Sequence, residues 1–229
     1  MIYENLKDIE CNIRKACLRV NRAFEDITLV VVTKTQTEAA ILEAYKAGAR
    51  VFGENKVQEL SAKHHILPKD ASWHMIGHLQ RNKVKDVVGK VELIHSVDSL
   101  RLVEAIQKEC MKKSVIANIL IEVNVADEDS KFGLKIEEVK AFVRKMSEYS
   151  HIRVEGLMTI APFVANPESN REVFARLKKI SVDIEGENID NVTMRVLSMG
   201  MTNDYQVAIE EGATMIRIGT AIFGERFYS

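Results

Sequence analysis

Eight short runs of β-branched and other apolar residues, separated by charged stretches, constrain this sequence more than any other feature. They lie at residues 27–34 (ITLVVVTK), 50–55 (RVFGEN), 73–77 (WHMIG) and 91–98 (VELIHSVD), then at 116–125 (IANILIEVNV), 152–160 (IRVEGLMTI), 193–200 (TMRVLSMG) and 215–224 (MIRIGTAIFG). Most read as continuous apolar runs rather than as in–out alternation, which is what strands covered on both faces require. The intervening segments 37–47, 99–113, 136–149 and 168–184 place apolar residues at helical spacing. Strand–helix alternation predicts an α/β fold, and eight repeats predict a closed (β/α)8 TIM barrel. A doubly wound open sheet is the structural alternative. Ahead of the first strand, Ile2, Leu6, Ile9, Ile13, Cys17 and Val20 share one helix face, predicting an extra N-terminal helix.

With 229 residues and only three prolines, the chain shows no linker, and residues 1–229 read as a single domain. The longest excursion is APFVANPESN, around Pro162 and Pro167. A net charge of -1 gives no electrostatic reason to expect nucleic acid or an anionic membrane as partner. No apolar stretch approaches the ~18 residues of a membrane span, and the charged start MIYENLKDIE lacks a secretory signal. Three cysteines with no CxxC pair suit a reducing cytosol, so the expected location is cytoplasmic.

In a barrel of this kind the site lies at the C-terminal ends of the strands, with phosphate favoured after strands seven and eight. That rule selects Lys34, Glu54, Asn55, Gly77, His78, Asp98, Asn124, Met158, residues 198–202, Gly219 and Thr220. The loops SMGMTND and IGT fall where phosphate is expected. Gly200 and Gly219 let backbone N–H groups approach an anion, Ser198 and Thr220 offer hydroxyls, and Thr202 or Asn203 is placed to cap the next helix. The same glycines also suit ordinary tight turns.

Lys34 shares a strand face with Thr28, Val30 and Val32. If that face is the lumen, its amine is partly desolvated and better able to attack a carbonyl; a solvated strand-end lysine is the plainer reading. Arg217 shares a face with Gly219 and needs an acceptor, either Glu122 or Glu155 or a ligand. His74 and His78 lack a third ligand at suitable spacing, so no metal site is expected. The basic stretch 83–90 reads as a solvated helix face.

Taken together, VVTKTQ, FGENKVQE, WHMIGHLQRNK, IHSVD, VNVADEDSKFGL, GLMTI, LSMGMTND and IRIGTAIFG resemble, in order over residues 27 to 226, the motifs of the pyridoxal phosphate homeostasis protein family. That family comprises single-domain relatives of the alanine racemase barrel. The resemblance implies pyridoxal 5'-phosphate (PLP) held as an internal aldimine on Lys34. It also implies phosphate-binding groups at Ser198, Gly219 and Thr220, with Met199 and Gly200 in the adjacent loop. Arg217 would lie near the pyridine nitrogen and Asn55 near the cofactor. The chain departs from the family in the Thr35-Gln36-Thr37 that follows Lys34 and in Thr202, where serine is common; the latter exchange keeps the hydroxyl.

The expected function is PLP binding in vitamin B6 homeostasis, buffering the cofactor or delivering it to PLP-requiring apo-enzymes, without dedicated turnover. A racemase needs acid–base groups on both faces of the α-carbon, and only Lys34 is evident. The chain ends at Ser229, leaving no room for a second β domain, so a monomer is expected. The alternatives are a small PLP-dependent amino-acid racemase, using Tyr205 or a histidine as opposing base, and a cofactor-free Schiff-base aldolase.

Overall fold

The computed structural model describes residues 1–128 and 132–224. Residues 129–131, within VNVADEDSKFGL, and 225–229, with the end of the family-like region, lie outside the described residues. Eight parallel strands close into a barrel in sequence order: β1 (Thr28–Val32), β2 (Val51–Glu54), β3 (Ser72–Met75), β4 (Leu93–Val97), β5 (Ala117–Glu122), β6 (Ile152–Met158), β7 (Val192–Ser198) and β8 (Met215–Ile218). The open-sheet alternative is excluded by the β1–β8 ladder, which pairs Val30 with Arg217 and Val31 with Ile218.

Strand alternation sorts the side chains into two layers. Val30, Val32, Ile76, Leu93, Leu120, Met158 and Met215 fill the lumen, whereas Val31, Phe52, Trp73, Met75, Ile119 and Ile216 join the larger core beneath the helices. Both faces are dry, which is why the strand sequences show no polar alternation.

The outer ring contains α2 (Glu38–Lys46), α3 (Val57–Lys63), α4 (Leu100–Lys113), α5 (Ile136–Arg144), α6 (Arg171–Glu185), α7 (Tyr205–Glu210) and α8 (Thr220–Phe223). The N-terminal helix α1 (Ile2–Arg19) buries Ile2, Leu6, Ile9, Ile13, Ala16 and Cys17. It supplements the four-residue α8 over the β8 side, where Asn5 Nδ2 donates to the Ile222 carbonyl at 2.8 Å.

Three local expectations change. The run 215–224 leaves the strand at Ile218 and turns through Gly219 into α8. The segment 136–149 is helical only to Arg144 and tightens into a 3-10 turn over Lys145–Glu148. The basic stretch 83–90 buries Val84 on a 3-10 turn (Arg81–Asp86), and Val87 and Val88 just after it, in the helix position between β3 and β4. None of the described helices is long and apolar enough to cross a membrane.

Candidate functional site

A cavity of about 240 Å³ opens at the C-terminal mouth of the barrel. Lys34 reaches it from the end of β1, Asn55 from the end of β2, and Arg217, Gly219 and Thr220 from β8 and its turn. Val32, Ile76, Ile160 and Met201 supply apolar wall, and Thr202 a hydroxyl. Lys34 and Arg217 are the only charged side chains among the described lining residues, so the cavity favours an anion. Asn55 carries a buried side-chain oxygen with no hydrogen-bond partner, an unmet polar requirement at the wall.

Below the cavity, Arg217 is held by a chain of buried polar groups. One of its N–H groups donates to Ser198 Oγ at 2.6 Å and another to the Thr159 carbonyl at 3.0 Å. Ser198 Oγ lies 3.0 Å from His95 Nδ1, and His95 Nε2 lies 3.0 Å from His74 Nδ1. A guanidinium only donates, so Ser198 Oγ accepts from Arg217, and the tautomers of the two rings set the direction of the other two bonds. Burial favours the neutral form of both imidazoles, pulling His74 down to about 4 and His95 well below its ordinary value. Burial also lowers Arg217 to about 10, against the attraction of Glu122 and Asp204.

Glu122, across the barrel on β5, is pushed up to about 7, first by burial and then by Asp98, with Arg217 pulling the other way. An ordinary Glu titrates near 4.5, so the folded protein holds this proton more tightly than the unfolded chain. The resulting stabilisation is complete below 4.5 and lost as pH rises through 7. His74 has the opposite sign, its contribution being full above 6.5 and lost as pH falls towards 4. Glu122→Gln removes only the first effect. We expect it to be more stable than the parent by on the order of 2 kcal/mol at pH 8, with the gain vanishing near pH 4.5, in urea unfolding at both pH values. Equal stability at pH 8 would contradict this assignment of Glu122.

The structure brings seven of the residues singled out from sequence to the cavity: Lys34, Asn55, Met201, Thr202, Arg217, Gly219 and Thr220. Ser198 lies beneath it, engaged with Arg217 and His95. Met199 turns outward into the core under the helices. Gly200 bends the loop at φ +90, where an added Cβ would meet Ala208 Cβ at 2.6 Å, and its carbonyl accepts from Arg217 N–H at 3.1 Å. Neither Thr202 nor Asn203 caps α7. Asp204 occupies that position, its carboxylate accepting instead from Met201 N–H and Asn170.

Arg217 forms no ion pair with Glu155, which faces Arg195 on the outside at 2.5 Å. His74 and His78 also part, His78 stacking on Phe132 at the surface with ring centres 4.0 Å apart. Sequence reasoning missed His95, although it stands two residues after lumen-facing Leu93 and one after outward-facing Ile94, the alternation that marks a lumen position.

The chain matches the family described as alanine racemase, N-terminal domain, over residues 5–227. It is 44% identical over 226 residues to the pyridoxal phosphate homeostasis protein of Aquifex aeolicus, covering 98% of each chain. Among solved structures it resembles an unknown protein from Bifidobacterium adolescentis, with TM-score 0.92 and 33% identity over 97% of this chain and 94% of that one. It also resembles PipY of Synechococcus elongatus, solved with PLP bound, with TM-score 0.83 and 32% identity over 98% of this chain and 100% of that one.

Proposed function

The chain belongs to the pyridoxal phosphate homeostasis proteins of the alanine racemase N-terminal domain family, and from that premise we propose that it holds PLP reversibly on Lys34 to buffer or deliver it. The observation that carries this reading is the convergence of one amine, one guanidinium and the Gly219–Thr220 turn on a single cavity with apolar walls. PLP supplies an aldehyde that condenses reversibly with a primary amine. Lys34 provides that amine. Gly219, Thr220 and Thr202 line the cavity beside Arg217, where their N–H and O–H groups suit a phosphate. Ser198 and Gly200 act one step back, fixing Arg217 and the loop. Arg217 is a permanent donor suited to a ring nitrogen, which it keeps unprotonated. The unmet polar group of Asn55 fits a ligand with a ring substituent able to donate.

Retention without turnover is supported by the wall itself. Among its described residues, only Lys34 and Arg217 have proton chemistry of use to a catalyst. Tyr205, one of the opposing bases open to the racemase reading, is 6% exposed and packs in the outer core, away from the cavity wall. The reading extends to a cytoplasmic monomer whose recipients are PLP-requiring apo-enzymes. PLP-loaded protein incubated with L-alanine should leave the amino acid in its L form by chiral chromatography. Racemisation that disappears in Lys34→Ala would contradict a carrier.

A further inference from the structure

The FGEN…QE segment is among the most distinctive in the sequence, yet its two carboxylates do not reach the cavity. Glu54 ends β2 with its side chain on the outer face, and Glu59 lies on α3. Both converge on Lys63, whose ammonium donates to Glu54 Oε1, Glu59 Oε2 and the Thr33 carbonyl, each at 2.8 Å. Lys63 is 8% exposed and Glu54 fully buried. Burying such charges is costly, and replacing them with apolar side chains would often stabilise as well. Core packing alone therefore does not account for the cluster.

Its remaining hydrogen bonds indicate what it holds. Glu54 Oε1 accepts from Thr33 Oγ1 at 2.6 Å, and Glu59 Oε2 accepts from Thr35 N–H at 2.7 Å. The cluster thus grips the residue before Lys34 and the residue after it. Thr35 stands at φ +64, a left-handed conformation that a β-branched residue rarely adopts unless its surroundings impose it. The bond from Glu59 to Thr35 N–H is placed to impose it. With Thr33 directed outward and Thr35 locked, the turn that follows β1, closed by Gln36 N–H donating to the Thr33 carbonyl at 3.0 Å, presents Lys34 to the cavity.

We propose that Glu54, Glu59 and Lys63 form a clamp on the outer face of the barrel that positions Lys34 for attachment to PLP through its flanking peptide groups. This rests on Lys34 being the attachment point, as proposed above.

The test separates reach from charge at Glu59, which is only partly buried. Glu59→Gln keeps an acceptor at the same reach without the charge. Glu59→Asp keeps the charge but is one methylene too short to hold both Lys63 and Thr35. PLP affinity and the pH at which the visible band of the bound cofactor titrates are measured by absorbance for the parent and both variants, with thermal unfolding alongside. We expect Glu59→Asp to bind PLP about tenfold more weakly, the equivalent of one charge-assisted hydrogen bond. Its band should titrate at a shifted pH, while Glu59→Gln stays near the parent in both readouts. The clamp is overturned if the Asp variant matches the parent, if both variants weaken binding equally, or if only the unfolding temperature changes. If the parent is not labelled at Lys34 after borohydride, the attachment reading fails instead, and the two failures are distinguishable.

Discussion

Lys34→Ala is expected to abolish covalent capture of PLP and to weaken its retention by about a hundredfold, or ~2.7 kcal/mol, while the barrel stays folded. The side chain lies half-buried at the cavity mouth rather than in the lumen layer of Val30 and Val32, so its loss removes little packing. Arg217 and the Gly219–Thr220 turn remain, which is why weak non-covalent binding should survive. The measurement is an absorbance titration with PLP followed by gel filtration. The parent should carry its visible band through the column, and the variant should emerge colourless with an unchanged unfolding midpoint. A variant that retains the band would remove Lys34 from the site.

The second large effect is on the fold. Gly156 stands in β6 where the register shifts against both β5 and β7. Its φ is +156, and an added Cβ would lie 1.8 Å from the Val196 carbonyl oxygen and 2.7 Å from its carbon. That neighbour is backbone within the β6–β7 ladder, so it cannot yield without breaking strand pairing. Gly156→Ala should therefore cost about 4 kcal/mol or more, enough to leave most of the protein insoluble. Its effect should also reach the cavity, because β6 leads directly to Thr159, whose carbonyl accepts from Arg217. Gly186→Ala is the control. That glycine ends α6 at φ -65, and the nearest atom to an added Cβ is 3.8 Å away. Here alanine should be neutral or stabilise by about 0.5 kcal/mol. Comparable losses in the two variants by urea unfolding would refute the steric account of the β6 bulge.

The barrel was legible in the sequence because its strands are dry on both faces, and continuous apolar runs such as TLVVV survive any uncertainty in their ends. Strand ends were harder to place. IRIGTAIFG is apolar apart from Arg217 and Thr220, yet the chain changes from strand to helix at Gly219, and the apolar residues run on through that change. Lys34, Asn55, Arg217, Gly219 and Thr220 could be placed at the cavity because period-two alternation and the strand-end rule both concern local chain direction.

The interactions behind them were not legible, because they join residues distant in sequence. Ser198 meets His95 from a position 103 residues away, and Lys63 reaches Thr33 across 30. Polar side chains of these types can serve a ligand or one another, and only the closed barrel decides between the two. Ser198 exemplifies this: its hydroxyl is suited to phosphate, and the fold gives it to Arg217.

The central claim is that the Lys34 amine is where the cofactor is held. PLP-loaded protein reduced with borohydride, digested and analysed by mass spectrometry should carry one pyridoxyl group, on the peptide containing Lys34, with loss of the visible band. An adduct on any other lysine, or no adduct on protein that had taken up PLP, would contradict it.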